Sequence, residues 1–263
     1  MYLQQICSYV KDACIEAGNF IRNEQEKVKA ENIISKGLND FVTYVDKTSE
    51  QILVERLSKL IPEAGFLTEE ETISTVGKEY NWIIDPLDGT TNFLHGLPPY
   101  SISIALQFED KIVLGVVYEI FSKEMFYAWK EGGAWLNGKQ IFVSDRNKLS
   151  DSLLATGFPY NNFIKMEQYM QLFEYLMQNS HGLRRLGSAA IDLAYVACGR
   201  MEAFYEYGLK PWDVAAGAFI VTEAGGIVND FKGENNWLTG QELVCGNIQV
   251  CNELTELTKK YFY

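Results

Sequence analysis

The chain has 263 residues, 47% of them hydrophobic and 22% charged, and its formal net charge is -12. That composition excludes a disordered chain and leaves room for one large domain or two closely packed ones. The charge argues against a polynucleotide partner, since binding a phosphate backbone relies on clustered Lys and Arg. No apolar run approaches the ~20 residues that a membrane-spanning helix needs. The N-terminus lacks the basic-then-apolar pattern of a secretory signal, so a cytoplasmic protein is expected. The five cysteines form no CxxC pair, which fits reduced thiols packed inside. Neither His95 nor His181 stands at ligand spacing from a cysteine, so zinc is not expected.

In chain order, residues 3–24 carry Ile6, Val10, Ala13, Ala17, Phe20 and Ile21 at helical spacing. A second helix is predicted from Val45 to Leu60, ended by Pro62. From residue 81 the pattern becomes strand-like: NWIID, YSISIALQF, KIVLGVVYE and EMFYAWK are rich in Ile, Val, Tyr and Phe. Asp110-Lys111 is the expected turn of one hairpin and Asn137-Gly138 a tight turn. Two helices on a mostly antiparallel sheet follow from this half.

The remainder alternates. SLLATGF reads as a strand, 165–179 as a helix, 188–198 as a helix and MEAFYEY as a strand. Pro211 opens a helix that stops at Gly225-Gly226, the expected asymmetry of helix ends. GIVNDF and ELVCG are further strands before a terminal helix. The expectation is a layered α+β protein with two units, 1–143 and 144–263, and no internal repeat.

Three acidic elements carry the chemistry. Trp82-Ile-Ile-Asp-Pro-Leu-Asp-Gly-Thr-Thr-Asn-Phe93 delivers Asp85 at a strand end and Asp88 three residues later, with Thr90 where a short helix begins. Carboxylates there hold hard cations through oxygen, while free N–H groups at a helix start favour a phosphate. Gly89 lets the backbone approach a ligand closely. Thr68-Glu69-Glu70-Glu71 follows an apolar stretch, and Asp213 falls in the first turn of the helix opened by Pro211. Each alone has a plain structural reading: a capped turn, a solvated acidic loop, and a negative charge well placed at a helix N-terminus.

Together, in this order, Glu-Glu after an apolar strand, Asp-Pro-Leu-Asp-Gly-Thr-Thr-Asn-Phe, and Trp-Asp-Val-Ala-Ala-Gly resemble the inositol monophosphatase family. Its superfamily also holds fructose-1,6-bisphosphatases and 3′-phosphoadenosine 5′-phosphate phosphatases. The resemblance covers essentially the whole chain and implies an αβαβα sandwich of the sugar-phosphatase type. It implies two or three Mg2+ ions, with Mn2+ a possible substitute, held by Glu69, Asp85, the Leu87 carbonyl, Asp88 and Asp213. It further implies direct hydrolysis by an activated water, with Thr90, Asp46 and Glu69 as the catalytic groups. Asp46 ends Lys36-Gly-Leu-Asn-Asp-Phe-Val-Thr-Tyr-Val-Asp46, which is similar to a family segment; capping of the second helix is its other reading.

For substrate, the resemblance implies Asp88, Gly89, Thr90, Gly187, Ser188, Ala189, Glu206 and Asp213. Glu206 suits a polyol, because each hydroxyl is a donor needing an acceptor. Arg184 and Arg185 meet substrate, a dimer partner or solvent. Two departures stand out: Thr68 occupies a position where Gly or Ser is common, and Lys210-Pro211 precedes the Trp-Asp motif. Lys210 suits a second negative group, which keeps bisphosphates open. The leading expectation is hydrolysis of myo-inositol 1-phosphate. The alternatives are 3′-phosphoadenosine 5′-phosphate, fructose 1,6-bisphosphate or a nicotinamide dinucleotide phosphate, and, from another class, a non-catalytic phosphosugar-binding protein. The partners implied are a small phosphomonoester and a second copy of the chain as a homodimer, with lithium sensitivity, and neither nucleic acid nor membrane.

Overall fold

Helix α1 (Leu3–Glu24) turns Ile6, Val10, Ala13, Ala17 and Ile21 inward along one stripe. Each such Ile or Val side chain, once buried, contributes about 1.5–3 kcal/mol. The computed structural model describes residues 2–28, 34–37, 40–159 and 163–263. Leu38 and Asn39, within the segment that leads to Asp46, lie outside the described residues. The short strands β1 (Ile34–Gly37) and β2 (Asp40–Val42) pair antiparallel and precede α2 (Tyr44–Leu60). That hairpin carries no period-2 apolar pattern and was not expected from the sequence.

A seven-stranded sheet follows: β3 (Gly65–Thr68), β4 (Tyr80–Asp88), β5 (Ser101–Phe108), β6 (Lys111–Glu119), β7 (Glu124–Trp129), β8 (Ala134–Leu136) and β9 (Lys139–Ile141). They lie in chain order, with β3 parallel to β4 and every other pair antiparallel. Helix α3 (Thr90–Leu94) sits between β4 and β5. The β5–β6 turn is made by Glu109 and Asp110 rather than Asp110-Lys111. Lys111 pairs with Phe108, and Glu109 takes the positive φ of 51°. Asn137-Gly138 is a tight turn as expected, both residues having positive φ.

The second sheet has the order β11-β10-β12-β14-β13. Its strands are β10 (Leu153–Thr156), β11 (Gly182–Arg184), β12 (Ala203–Tyr207), β13 (Ile227–Asn229) and β14 (Glu242–Gly246). β10, β11 and β12 are parallel, whereas β14 runs antiparallel to both β12 and β13. The strands predicted for SLLATGF and GIVNDF are shorter than their apolar runs, because only the residues that find a ladder partner are strand.

Helices α1 and α2 cover one face of the large sheet. Helices α5 (Ala189–Ala197) and α6 (Pro211–Glu223) fill the space between the two sheets. Helices α4 (Met166–Asn179) and α7 (Ile248–Phe262) cover the outer face of the second sheet. The architecture is an αβαβα layered sandwich. Being apolar on nearly all sides, α5 and α6 must lie between two layers, since a helix with a single apolar stripe can cover only one. No helix of the described residues is long and apolar enough to cross a membrane.

Candidate active site

The site is built where β4 stops being a regular strand. Along an unbroken strand residues i and i+3 face opposite sides. In β4 the register against β5 shifts between Asp85, opposite Ser103, and Asp88, opposite Ser101. Three steps on one strand match two on the other, so one extra residue is accommodated beside Pro86, which has no N–H for the ladder. The bulge turns Asp85 and Asp88 to the same cavity.

The partner strand completes the frame. Ser101 and Ser103 share one face of β5: Ser101 Oγ lies 3.2 Å from Ser188 Oγ, and Ser103 Oγ donates to the Trp212 carbonyl at 3.0 Å. Those two serines thereby hold the starts of α5 and α6 against the bulge. Ser188 caps α5, and its hydroxyl donates to Asp88 Oδ2 at 2.6 Å, while the Ala190 N–H donates to the same oxygen at 2.8 Å. Asp213 lies in the first turn of α6 and accepts the Lys210 N–H at 2.7 Å. Negative charge is favoured at both helix starts.

Glu69 follows β3, and its N–H donates to the Ile84 carbonyl at 3.2 Å. Its carboxyl hydrogen-bonds Asp85, a contact two carboxyl groups make only by sharing a proton or a cation. The loop after Glu69 is fixed by Glu50 of α2, a buried carboxylate. Glu50 accepts the N–H groups of Glu70 at 2.9 Å and Thr72 at 2.8 Å and the Thr72 hydroxyl at 2.5 Å. Nothing in the run around Glu50 distinguishes it from a solvated helix residue, so the sequence did not disclose it.

Asp46 serves α2 and the site together. Its Oδ2 accepts the Thr43 N–H and hydroxyl at 2.8 and 2.7 Å, and its Oδ1 lies 3.0 Å from the Thr90 hydroxyl. The capping and site readings of Asp46 are compatible, because its two oxygens divide the work.

The cavity has a volume of ≈ 450 Å³ and is lined by Glu69, Asp85, Leu87, Asp88, Gly89, Thr90, Gly187, Ser188, Ala189, Glu206 and Asp213. All of the residues expected at the site except Asp46 therefore line one cavity, and Asp46 reaches it through Thr90. The cavity also takes in Arg185, Asp192, Phe158 and Lys210. Of these the sequence reading had not singled out Asp192 or Phe158. The one charged residue of an otherwise apolar helix was the available signal for Asp192.

Burial, reinforced by repulsion from Glu69, Asp88 and Asp213, pushes Asp85 well above the usual carboxylate range. Burial likewise raises Asp88, against the hydrogen bonds from Ser188 and Ala190, and raises Asp213, with the charge of Asp88 adding to it. Glu206 is pushed up to about 8 by burial, which the Arg185 guanidinium opposes. Carboxyl groups held this far above their usual range in one place are relieved by bound cations or bound donors. No group of three or more His, Cys, Asp or Glu side chains among the described residues is arranged to hold a metal ion as it stands. Oδ1 of Asp85 and Oδ2 of Asp88 and of Asp213 accept backbone N–H groups, and Asp85 also meets the Glu69 carboxyl. The donor set is all oxygen, which fits a hard cation such as magnesium and does not suit zinc.

The sequence model of the inositol monophosphatase family matches residues 3–261. The chain belongs to the inositol monophosphatase family. An inositol-1-monophosphatase of Mesorhizobium japonicum is 39% identical over 249 residues, 94% of either chain. The Nus factor SuhB of Pseudomonas aeruginosa is 40% identical over 250 residues, covering 93% of this chain and 92% of that one. The crystal structure of the extragenic suppressor protein suhB from Bartonella henselae superposes with a TM-score of 0.93 at 38% identity, covering 97% of this chain and 99% of that one. Phosphatase chemistry is thus supported, in a family that is generally metal-dependent.

Proposed function

We propose that the protein is a magnesium-dependent phosphomonoesterase whose substrate is myo-inositol 1-phosphate. The observation that carries this reading is the bulge at Pro86, which turns Asp85 and Asp88 into the cavity that Glu69, Asp213 and Glu206 also line. A cavity of ≈ 450 Å³ suits a single phosphorylated ring.

Glu69, Asp85, Asp88, Asp213 and the Leu87 carbonyl would hold the magnesium, which when bound supplies charge neutralisation for the phosphate and acidifies the attacking water. The chain's own residues do the rest. When the Thr90 hydroxyl donates its proton to Asp46 Oδ1, its lone pairs are left to accept a proton from a water beside the phosphorus. Asp46 is kept in place for this by the Thr43 N–H and hydroxyl. Gly89, Gly187, Ser188 and Ala189 bring backbone close to the ester, and Glu206 takes a ring hydroxyl. Residues 1–143 and 144–263 act as two units sharing this cavity, in a cytoplasmic homodimer sensitive to lithium.

Phosphate release from a substrate panel, with and without magnesium and lithium, tests the reading. Inositol 1-phosphate is expected to be the preferred ester, and turnover to vanish on chelation. A preference above about tenfold for 3′-phosphoadenosine 5′-phosphate would shift the assignment to the bisphosphates, which the exposed Lys210 at the cavity favours.

A second reading follows from the name Nus factor that the Pseudomonas relative carries: contact with transcription factors alongside turnover. The net charge of -12 favours a protein rather than a nucleic-acid partner for such contact.

A further inference from the structure

Helix α5 reads AAIDLAYVA, with Asp192 its one ionisable acid among apolar residues. Ile191, Leu193, Ala194 and Val196 pack into the apolar layer between the two sheets. Asp192 is 1% exposed, and its Oδ1 has no hydrogen-bond partner among the described residues. Buried polar oxygens in folded proteins are almost always hydrogen-bonded, so an orphan carboxyl oxygen asks for an explanation. Asp192 also lines the cavity of the candidate active site. The Asp192 side chain therefore stands in the wall of that cavity.

The charges that act on Asp192 are those of Glu206, Asp88 and Arg185. Asp88 already has Oδ2 taken by Ser188 and Ala190. Glu206 is held flat against β10's end: a Cβ on Gly157 would fall 1.9 Å from Glu206 Oε2. Two carboxyl groups, on α5 and β12, thus line the same cavity, and among the described residues no side chain hydrogen-bonds either of them. Arg185 stands beside both and limits their mutual repulsion.

We propose that Asp192 is a second specificity-determining carboxyl, which takes a ring hydroxyl of the substrate next to the one taken by Glu206. The site then selects a polyol monophosphate with two neighbouring free hydroxyls. A hydroxyl is both donor and acceptor, so it pairs with a carboxyl group in either protonation state. A second phosphate at this position would meet two acids and be disfavoured, and a substrate without hydroxyls would leave a buried carboxyl unpaired. This inference rests on the phosphomonoesterase reading above.

The test compares kcat/KM for inositol 1-phosphate and for 4-nitrophenyl phosphate, an ester with no ring hydroxyls, in wild type, Asp192→Ala and Asp192→Asn. The ratio between the two substrates is expected to fall by about tenfold or more in Asp192→Ala, chiefly through KM for the inositol ester. Asp192→Asn, which keeps one acceptor and gains a donor, should fall between. A ratio within about twofold of wild type in both variants would overturn the proposal. Should neither variant fold, deoxy analogues of inositol 1-phosphate on the wild-type enzyme decide: two neighbouring hydroxyls should each be worth about tenfold, and dependence on one alone overturns it. Absence of wild-type turnover on either ester would instead overturn the underlying phosphatase reading, and this proposal with it.

Discussion

The Thr90 hydroxyl stands 3.0 Å from Asp46 Oδ1 and 3.0 Å from the Leu87 carbonyl. One proton cannot satisfy both at once. If the Leu87 carbonyl is engaged by a cation, the Thr90 proton goes to Asp46 and the hydroxyl faces the water as an acceptor. Thr90→Ala should therefore lower kcat by about a hundredfold, and Thr90→Ser should retain most of it. Phosphate-release kinetics on inositol 1-phosphate check this, and an Ala variant with wild-type kcat would remove Thr90 from the reaction.

Asp88 is held at Oδ2 by the start of α5, and an amide oxygen can accept those same two bonds. Asp88→Asn should thus melt within a few degrees of wild type yet lose turnover by about 10³-fold or more, since it loses the charge a cation needs. Melting curves alongside activity separate the two effects. Surviving activity would refute the metal-site assignment.

Glu50 draws three hydrogen bonds from the loop that carries Glu69. Glu50→Ala leaves those donors without a partner, and a stability loss of about 1–3 kcal/mol is expected. Because Glu69 is the first residue of that loop, magnesium affinity should weaken as well. Denaturant unfolding and a magnesium titration of activity read the two consequences, and unchanged affinity would show that Glu69 holds its place without Glu50.

Burial raises Asp85, Asp213 and Glu206 above their unfolded values. Between the ordinary carboxylate range near pH 4 and about pH 8, where Glu206 titrates, the folded chain binds more protons than the unfolded one. For metal-free protein the sign of the linkage is then negative: stability falls as pH rises through that window. Melting temperature measured in chelator should drop from pH 5 to pH 8, and magnesium at pH 8 should raise it again. A flat profile in chelator would mean that these acids are not strained in the folded state.

Gly157 leaves room for Glu206, and Gly157→Ala would place a methyl where the carboxylate sits. KM for inositol 1-phosphate should rise by about tenfold or more, with little change for an ester that has no hydroxyls. Steady-state kinetics on the two substrates provide the measurement.

Much of this was legible in the sequence because it is local. The helical stripe of α1, the Pro211 start and Gly225 end of α6 and the tight turn at Asn137-Gly138 each follow from backbone chemistry within a few residues. The acidic elements were legible by their order and company. What neighbours decide was less so: the β1–β2 hairpin, the β5–β6 turn at Glu109-Asp110, and the mixed directions of the second sheet depend on pairing with distant strands.

Residue order carried the apolar stripe of α1, the strand-rich run from residue 81 and the strand–helix alternation of the second half, while the αβαβα layering came with the family resemblance. The same order holds the acidic residues proposed as oxygen donors: Glu69, Asp85, Asp88 and Asp213. Packing of the folded chain is what turns Asp85 and Asp88 the same way, because side chains alternate along a strand and an extra residue at Pro86 is needed to break the alternation. It alone revealed Glu50 behind Glu69 and the orphan oxygen of Asp192 beside Glu206. Burial and hydrogen-bond satisfaction belong to the packed layers, and no run of residues in one helix or strand encodes them.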